Sequence, residues 1–154
     1  MKIKWKPLII SILIPLAVGG LSALLTKDNM IMFDYVRKPP LSPPAWLFPV
    51  VWTVLYILMG LASYRVYISE ADGKDSALVY YGVQLLFNFF WSIIFFNLGN
   101  YLFAFIWLAA LWVLILITTV KFFRIDKPAG WLMILYLLWV TFAGYLNYAI
   151  YLLN

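Results

Sequence analysis

The 154-residue chain is 66% hydrophobic and 11% charged, with a mean hydropathy of +0.97. Soluble domains are about half apolar and about a quarter charged, so this is a membrane protein. It has neither Cys nor His, which removes disulfides, thiolate nucleophiles, imidazole bases and most zinc, copper and haem ligation. The net charge of +5 comes from residues expected at helix ends and in loops, where orientation in the bilayer accounts for it, and nucleic acid is not a partner.

The N-terminal MKIKWK resembles the start of a signal peptide, but the apolar run behind it reaches a spanning length and ends in LLTKDN without a small-x-small site. A retained helix 1 is therefore expected over residues 8–25. Ser11, Pro15, Gly19 and Ala23 repeat every four residues, giving a strip of small residues that serves intramolecular packing or a dimer seam. Pro15 should kink the helix. Between Thr26 and Ser42, charged residues alternate with Met30, Ile31, Met32, Phe33 and Tyr35, so this loop either folds back over the bundle or lies in the headgroup layer. Pro39, Pro40, Pro43 and Pro44 stop helix formation before Ser42, which is placed as N-cap of helix 2, with Pro43 at its first position.

Helix 2, residues 43–68, sets Trp52, Tyr56, Met59, Gly60 and Ser63 on one face. After an exposed turn, Asp75 or Ser76 is expected to cap helix 3, residues 77–96, where Gln84, Asn88 and Trp91 or Ser92 share a face. Carboxamides in hydrocarbon need partners and must face the bundle interior, either bonding other helices or anchoring a ligand. A turn at 97–100, with Gly99 free to take positive φ, leads to helix 4, residues 101–120, a wall of Leu, Ile and Ala. A loop carrying Lys121 and Arg124 follows; Asp126 as N-cap and Pro128 near N1 open helix 5, residues 128–153, where Trp139, Ala143, Asn147 and Ile150 line one face. No internal repeat is evident. Eight basic residues fall on the N-terminal side and Lys27, Arg37 and Lys38 on the other, which predicts a cytoplasmic N-terminus.

All six carboxylates are expected in loops, so neither acid–base catalysis nor proton coupling has residues inside the bilayer. What remains is aromatic. A cavity walled by Trp52, Tyr56, Phe87, Phe90, Trp91 and Trp139, with Asn88 and Asn147 as polar tips, would suit a large planar apolar ligand; the same stripes would also serve as core.

The series Lys38-Pro39, Pro43-Pro44-x-Trp46-x-Phe48, Val51-Trp52-x-x-x-Tyr56-x-x-Met59-Gly60, Gln84-x-x-x-Asn88-x-x-Trp91 and Trp139-x-x-Phe142-Ala143-x-x-Leu146-Asn147 resembles the tryptophan-rich sensory protein and translocator protein family, also called the peripheral benzodiazepine receptor family. The resemblance covers nearly the whole chain. It implies an all-α five-helix membrane bundle, commonly a homodimer, in a bacterial cell membrane, with a pocket under the first loop that accepts porphyrins and synthetic isoquinoline carboxamide or benzodiazepine ligands. Trp52, Asn88 and Trp139 carry over as pocket residues, joined by Trp91, Phe89 and Ala143. The implied function is binding of a tetrapyrrole such as protoporphyrin IX, with no required cofactor, to regulate or detoxify it. Light-dependent breakdown would use Trp52 and Trp139; transport of porphyrin, lipid or sterol is the alternative. Two features depart from the family pattern. Leu135 precedes Tyr136 where many members have Pro, which predicts a weaker or displaced kink, and the C-terminus ends without a basic residue, which leaves the proposed cholesterol motif incomplete.

Overall fold

The computed structural model describes residues 2–154, which form five long helices. These are α1 (Trp5–Thr26), α2 (Leu47–Tyr67), α3 (Lys74–Ser92, continued by a π-helical turn, Ile93–Asn97), α4 (Tyr101–Ile125) and α5 (Lys127–Leu153). With α3 counted through its π turn, each has 21 to 27 residues and is apolar enough to cross a bilayer. The expectation of an all-α five-span bundle is met. α1 packs on α2, α2 on α5, α5 on α4, α4 on α3, and α3 returns to α1. The ring order is therefore 1-2-5-4-3. α5 and α2 supply much of the core, through Met133, Tyr136 and Val140 against Met59, Ala62 and Val66, whereas α1 is the least buried helix.

Several boundaries differ from expectation, each for a local reason. α1 begins at Trp5 rather than Leu8 because Pro7 falls in the first turn, where its missing donor is not needed. α2 begins at Leu47, four residues after Pro43. Ser42 is not its cap: its hydroxyl donates to Pro39 O (2.8 Å), Leu41 takes a positive φ of 72°, and the Leu47 amide closes a turn on Pro44 O (3.0 Å). The first-turn proline is instead Pro49. α3 starts at Lys74, with Gly73 at φ 86° as N-cap, so Asp75 and Ser76 lie inside the helix rather than capping it.

α4 runs to Ile125, taking Lys121 and Arg124 out of the expected loop; the Lys121 ammonium reaches Ser76 Oγ (3.2 Å) and lies 5.0 Å from the Tyr80 ring centre. Asp126 alone connects α4 to α5. Its carboxylate caps α5 through the Ala129 amide (3.0 Å), as the sequence predicts, and also takes a forked ion pair from Arg65 at the end of α2 (2.6 and 3.3 Å). At the other face, Gly99 adopts φ 61° and Asn100 caps α4 through the Phe103 amide (3.1 Å).

The small strip on α1 serves intramolecular packing at Ser11 and Gly19. Pro15 has no N–H, so the Ser11 carbonyl one turn earlier is released from the helical ladder. It faces Gly60: a Cβ there would lie 2.7 Å from Ser11 O and 2.6 Å from Ile12 Cα. Only glycine admits this contact between backbones. Two turns along α1, Gly19 leaves the space that the Tyr56 ring fills.

The first loop folds back over the bundle. Its 3-10 turn, Met30–Asp34, buries Phe33 against Phe48, Ile94, Phe95 and Ile150. Hydrogen bonds then fix its rim. The Arg37 amide and carbonyl exchange bonds with the Asn154 side chain (3.0 and 2.9 Å), Tyr145 OH donates to Pro40 O (2.9 Å), and Asn29 donates to Asn97 Oδ1 (2.8 Å).

Candidate functional site: a tryptophan-walled cavity under the first loop

A cavity of about 380 Å³ lies between the loop and the helices. α2 contributes Trp52 and Tyr56 one turn apart, α3 contributes Asn88 and Trp91, and α5 contributes Trp139, Ala143 and Asn147 at four-residue spacing. Seven of the ten residues singled out in the sequence for the cavity thus meet in one space. Phe89 does not line it; its carbonyl accepts a long bond from Ser22 Oγ (3.4 Å). Phe87 and Phe90, expected as walls, also lie elsewhere: Phe87 stacks on Trp107 (4.4 Å between ring centres), and Phe90 is exposed. On a helix neither shares the face of Asn88, since successive residues turn by about 100°.

Sequence reasoning missed three contributions. α1 lines the cavity with Leu16, Gly19, Gly20, Ser22 and Ala23; the lid adds Met30 and Phe33; Phe48, Phe95 and Phe96 complete the wall. The Gly19-Gly20 pair in an otherwise bulky helix was the available signal. The π turn in α3 had no sequence signature, yet it supplies Phe95 and Phe96, which meet edge to face at 4.9 Å.

The aromatic walls include two runs of ring contacts. Phe33 meets Phe48 edge to face (5.3 Å), Phe48 meets Trp139 (6.0 Å), and Trp52 lies 5.6 Å from Tyr56 and 6.2 Å from Tyr136. Such offset and edge contacts fix ring orientation as well as burying area. No lining residue carries a charge, and among the described residues there is no cluster of carboxylates able to hold a metal ion.

Polar groups at the cavity are mostly engaged with each other. Tyr56 OH donates to Asn88 Oδ1 (2.7 Å), Asn88 Nδ2 to Tyr136 OH (2.8 Å), and Tyr136 OH to Gln84 Oε1 (2.6 Å). This chain links α2, α3 and α5 through buried groups. Asn147 accepts from Trp91 Nε1 (3.0 Å) and donates to Tyr101 O (2.9 Å). The carboxamides therefore bond helix to helix, and Asn88 and Asn147 also face the cavity. Trp139 differs: its indole N–H is buried without a partner. The arrangement holds an apolar slot of fixed shape with few free donors, suited to binding a flat molecule rather than to acid–base chemistry.

Comparison with known proteins agrees with this geometry. The TspO/MBR family description matches residues 11–153. The tryptophan-rich protein TspO of Chlorobaculum tepidum is 38% identical over 142 residues, covering 90% of each chain. The tryptophan-rich sensory protein of Cereibacter sphaeroides is 39% identical over 132 residues, covering 86% of this chain and 81% of that one. The translocator protein of Bos taurus is 30% identical over 148 residues, covering 94% and 88%. With five spanning helices, a tryptophan-walled cavity beneath the first loop and similarity along almost its whole length, this multi-pass membrane protein belongs to the TspO/MBR family.

Proposed function

We propose that the protein binds a porphyrin such as protoporphyrin IX in the cavity beneath the first loop and thereby regulates or detoxifies it. The observation that carries this reading is an uncharged slot faced by Trp52, Trp91 and Trp139. Indole and phenyl faces stack on a planar π system. At about 380 Å³ the cavity is near the lower end of the roughly 300–1,000 Å³ typical of small-molecule sites, so a macrocycle would enter edge first with one edge outside. Its carboxylates find no cation within the walls. Lys38 in the lid, whose ammonium donates to the Phe33 and Val36 carbonyls, has one further donor with which to meet a carboxylate.

Photochemical breakdown is the finer reading: the bound pigment absorbs the light, and Trp52 and Trp139 serve as the electron-rich neighbours. The test is a titration of protoporphyrin IX into the purified protein in the dark, followed by illumination. Saturable quenching of tryptophan fluorescence is expected, with loss of porphyrin absorbance in light. Trp139→Phe should keep binding and slow the light-dependent loss. Absence of saturable binding would overturn the assignment; binding without a light effect would leave a binding protein only.

A further inference from the structure

We propose that ligand reaches the cavity sideways from the bilayer, through an opening between the C-terminal half of α1 and the N-terminal half of α2, rather than from water beneath the lid. The ligand class, a flat apolar molecule dissolved in the membrane, rests on the reading above; the route itself stands on geometry.

Residues lining the cavity divide into two groups. Those from α3 and α5 are buried or half-buried, whereas Gly20 and Ala23 of α1 and Pro49 and Thr53 of α2 are exposed although they line the same space, as are Met30 in the lid and Ala45 ahead of α2. The four helix residues lie on the two helices that edge one seam of the ring. Residues exposed on the side of spanning helices meet lipid, so the cavity is continuous with hydrocarbon there.

The same two helices are fastened at their other ends. There the Ser11–Ile12 backbone lies on Gly60, and the Lys4 amide donates to Tyr64 OH (2.8 Å). Pro15 falls between the fastened half of α1 and the half that edges the opening, and it removes one of the helical bonds that cross that junction. Beyond Pro15, α1 is tied to α3 by the Asn97 side chain donating to the Leu25 carbonyl (3.1 Å) and by a 3.4 Å contact of Ser22 Oγ with Phe89 O, and Gly19 admits the Tyr56 ring of α2.

The lid is fastened at several points. The Arg37–Asn154 pair and Tyr145–Pro40 tie it to α5, and Asn29–Asn97 ties it to the end of α3. Phe33 is buried beneath it. Raising the lid breaks these bonds and exposes apolar surface to water, whereas an opening between α1 and α2 meets lipid tails as apolar as the walls.

Gly20 makes the test clean. A Cβ there meets nothing within 4 Å, so a side chain can start into the opening, unlike at Gly19, where it would strike the Tyr56 ring. The chain has no Cys, so Ala143→Cys places a single reporter thiol on the far cavity wall. In proteoliposomes, an apolar, bilayer-partitioned methanethiosulfonate should label it faster than a charged, water-soluble one. Adding Gly20→Phe should slow the apolar reagent by about tenfold, whereas adding Asn154→Ala and Tyr145→Phe, which together free the lid from α5, should leave the rate within about twofold. Protoporphyrin IX association should follow the same pattern. Equal or faster labelling by the charged reagent, accelerated by Asn154→Ala with Tyr145→Phe and indifferent to Gly20→Phe, would overturn the route. Labelling that follows the expected pattern in a protein that fails to bind porphyrin would uphold the route and reject the ligand.

Discussion

Replacing Asn88 with Leu separates the two duties of this residue, bonding helices and facing the cavity. The substitution removes the bond accepted from Tyr56 and the bond donated to Tyr136. Inside a membrane protein such bonds average about 0.6 kcal/mol each. The larger effect is on Tyr56, whose hydroxyl is left buried without a partner at a cost of about 1–3 kcal/mol, while Tyr136 keeps its bond to Gln84. Asn88→Leu should therefore destabilise the bundle by about 2–4 kcal/mol. Tyr56→Phe removes the orphaned hydroxyl, and in that background Asn88→Leu should cost only the Tyr136 bond, about 0.6 kcal/mol. Reversible unfolding in mixed micelles, followed by tryptophan fluorescence for all four proteins, measures the difference. Effects of the two substitutions that add to within about 0.5 kcal/mol would refute the network as described.

Three further outcomes follow from the packing. Gly60→Val should lower stability by about 2–3 kcal/mol because the added atoms meet α1 backbone, whereas Gly82→Ala, which meets open space, should be neutral or slightly stabilising; thermal melts in detergent compare them. Asp126→Asn keeps the cap of α5 but loses the ion pair with Arg65; because the Arg65 side chain is 36% exposed, the loss should be only about 0.5–1 kcal/mol and shrink at high salt. Asp126→Ala should cost about 1 kcal/mol more at any salt concentration, because the Ala129 amide loses its acceptor as well. Asn154→Ala should speed hydrogen exchange at the Arg37 amide about fivefold, the equivalent of one net hydrogen bond near 1 kcal/mol.

The spans were legible because hydropathy and length decide them, and the face containing Trp139, Ala143 and Asn147 was legible because a four-residue spacing leaves little choice of orientation. Starts of helices were less so. Pro43 and Pro44 satisfy the requirements of a first turn, and only the conformation at Leu41 and the turn at Pro44–Leu47 show that the chain delays the helix. Phe87, Phe89 and Phe90 illustrate a different limit. Composition marks the segment as aromatic, but which rings reach the cavity depends on rotation about the axis of α3, and that is set by Asn88 and Gln84 bonding to Tyr136 on α5. Partners 61 residues apart, such as Arg65 and Asp126, leave no local signal at all. The share of α1 in the site was hidden for the same reason: Gly20 is notable only once its neighbours are known.

The π turn at the end of α3 gives the lid a dependence on chain length. Such a turn holds about one residue more than an α-helical path across the same distance. Deleting a single residue within Ile93–Asn97 would let α3 finish as an ordinary helix and turn Asn97 by about 100°, away from both Asn29 and the Leu25 carbonyl that it now bonds. Every side chain named in the cavity could then remain, and the lid would still lose its hold on that edge. Chain length in this turn is thus itself a site determinant, and one that residue-by-residue comparison of the pocket would overlook.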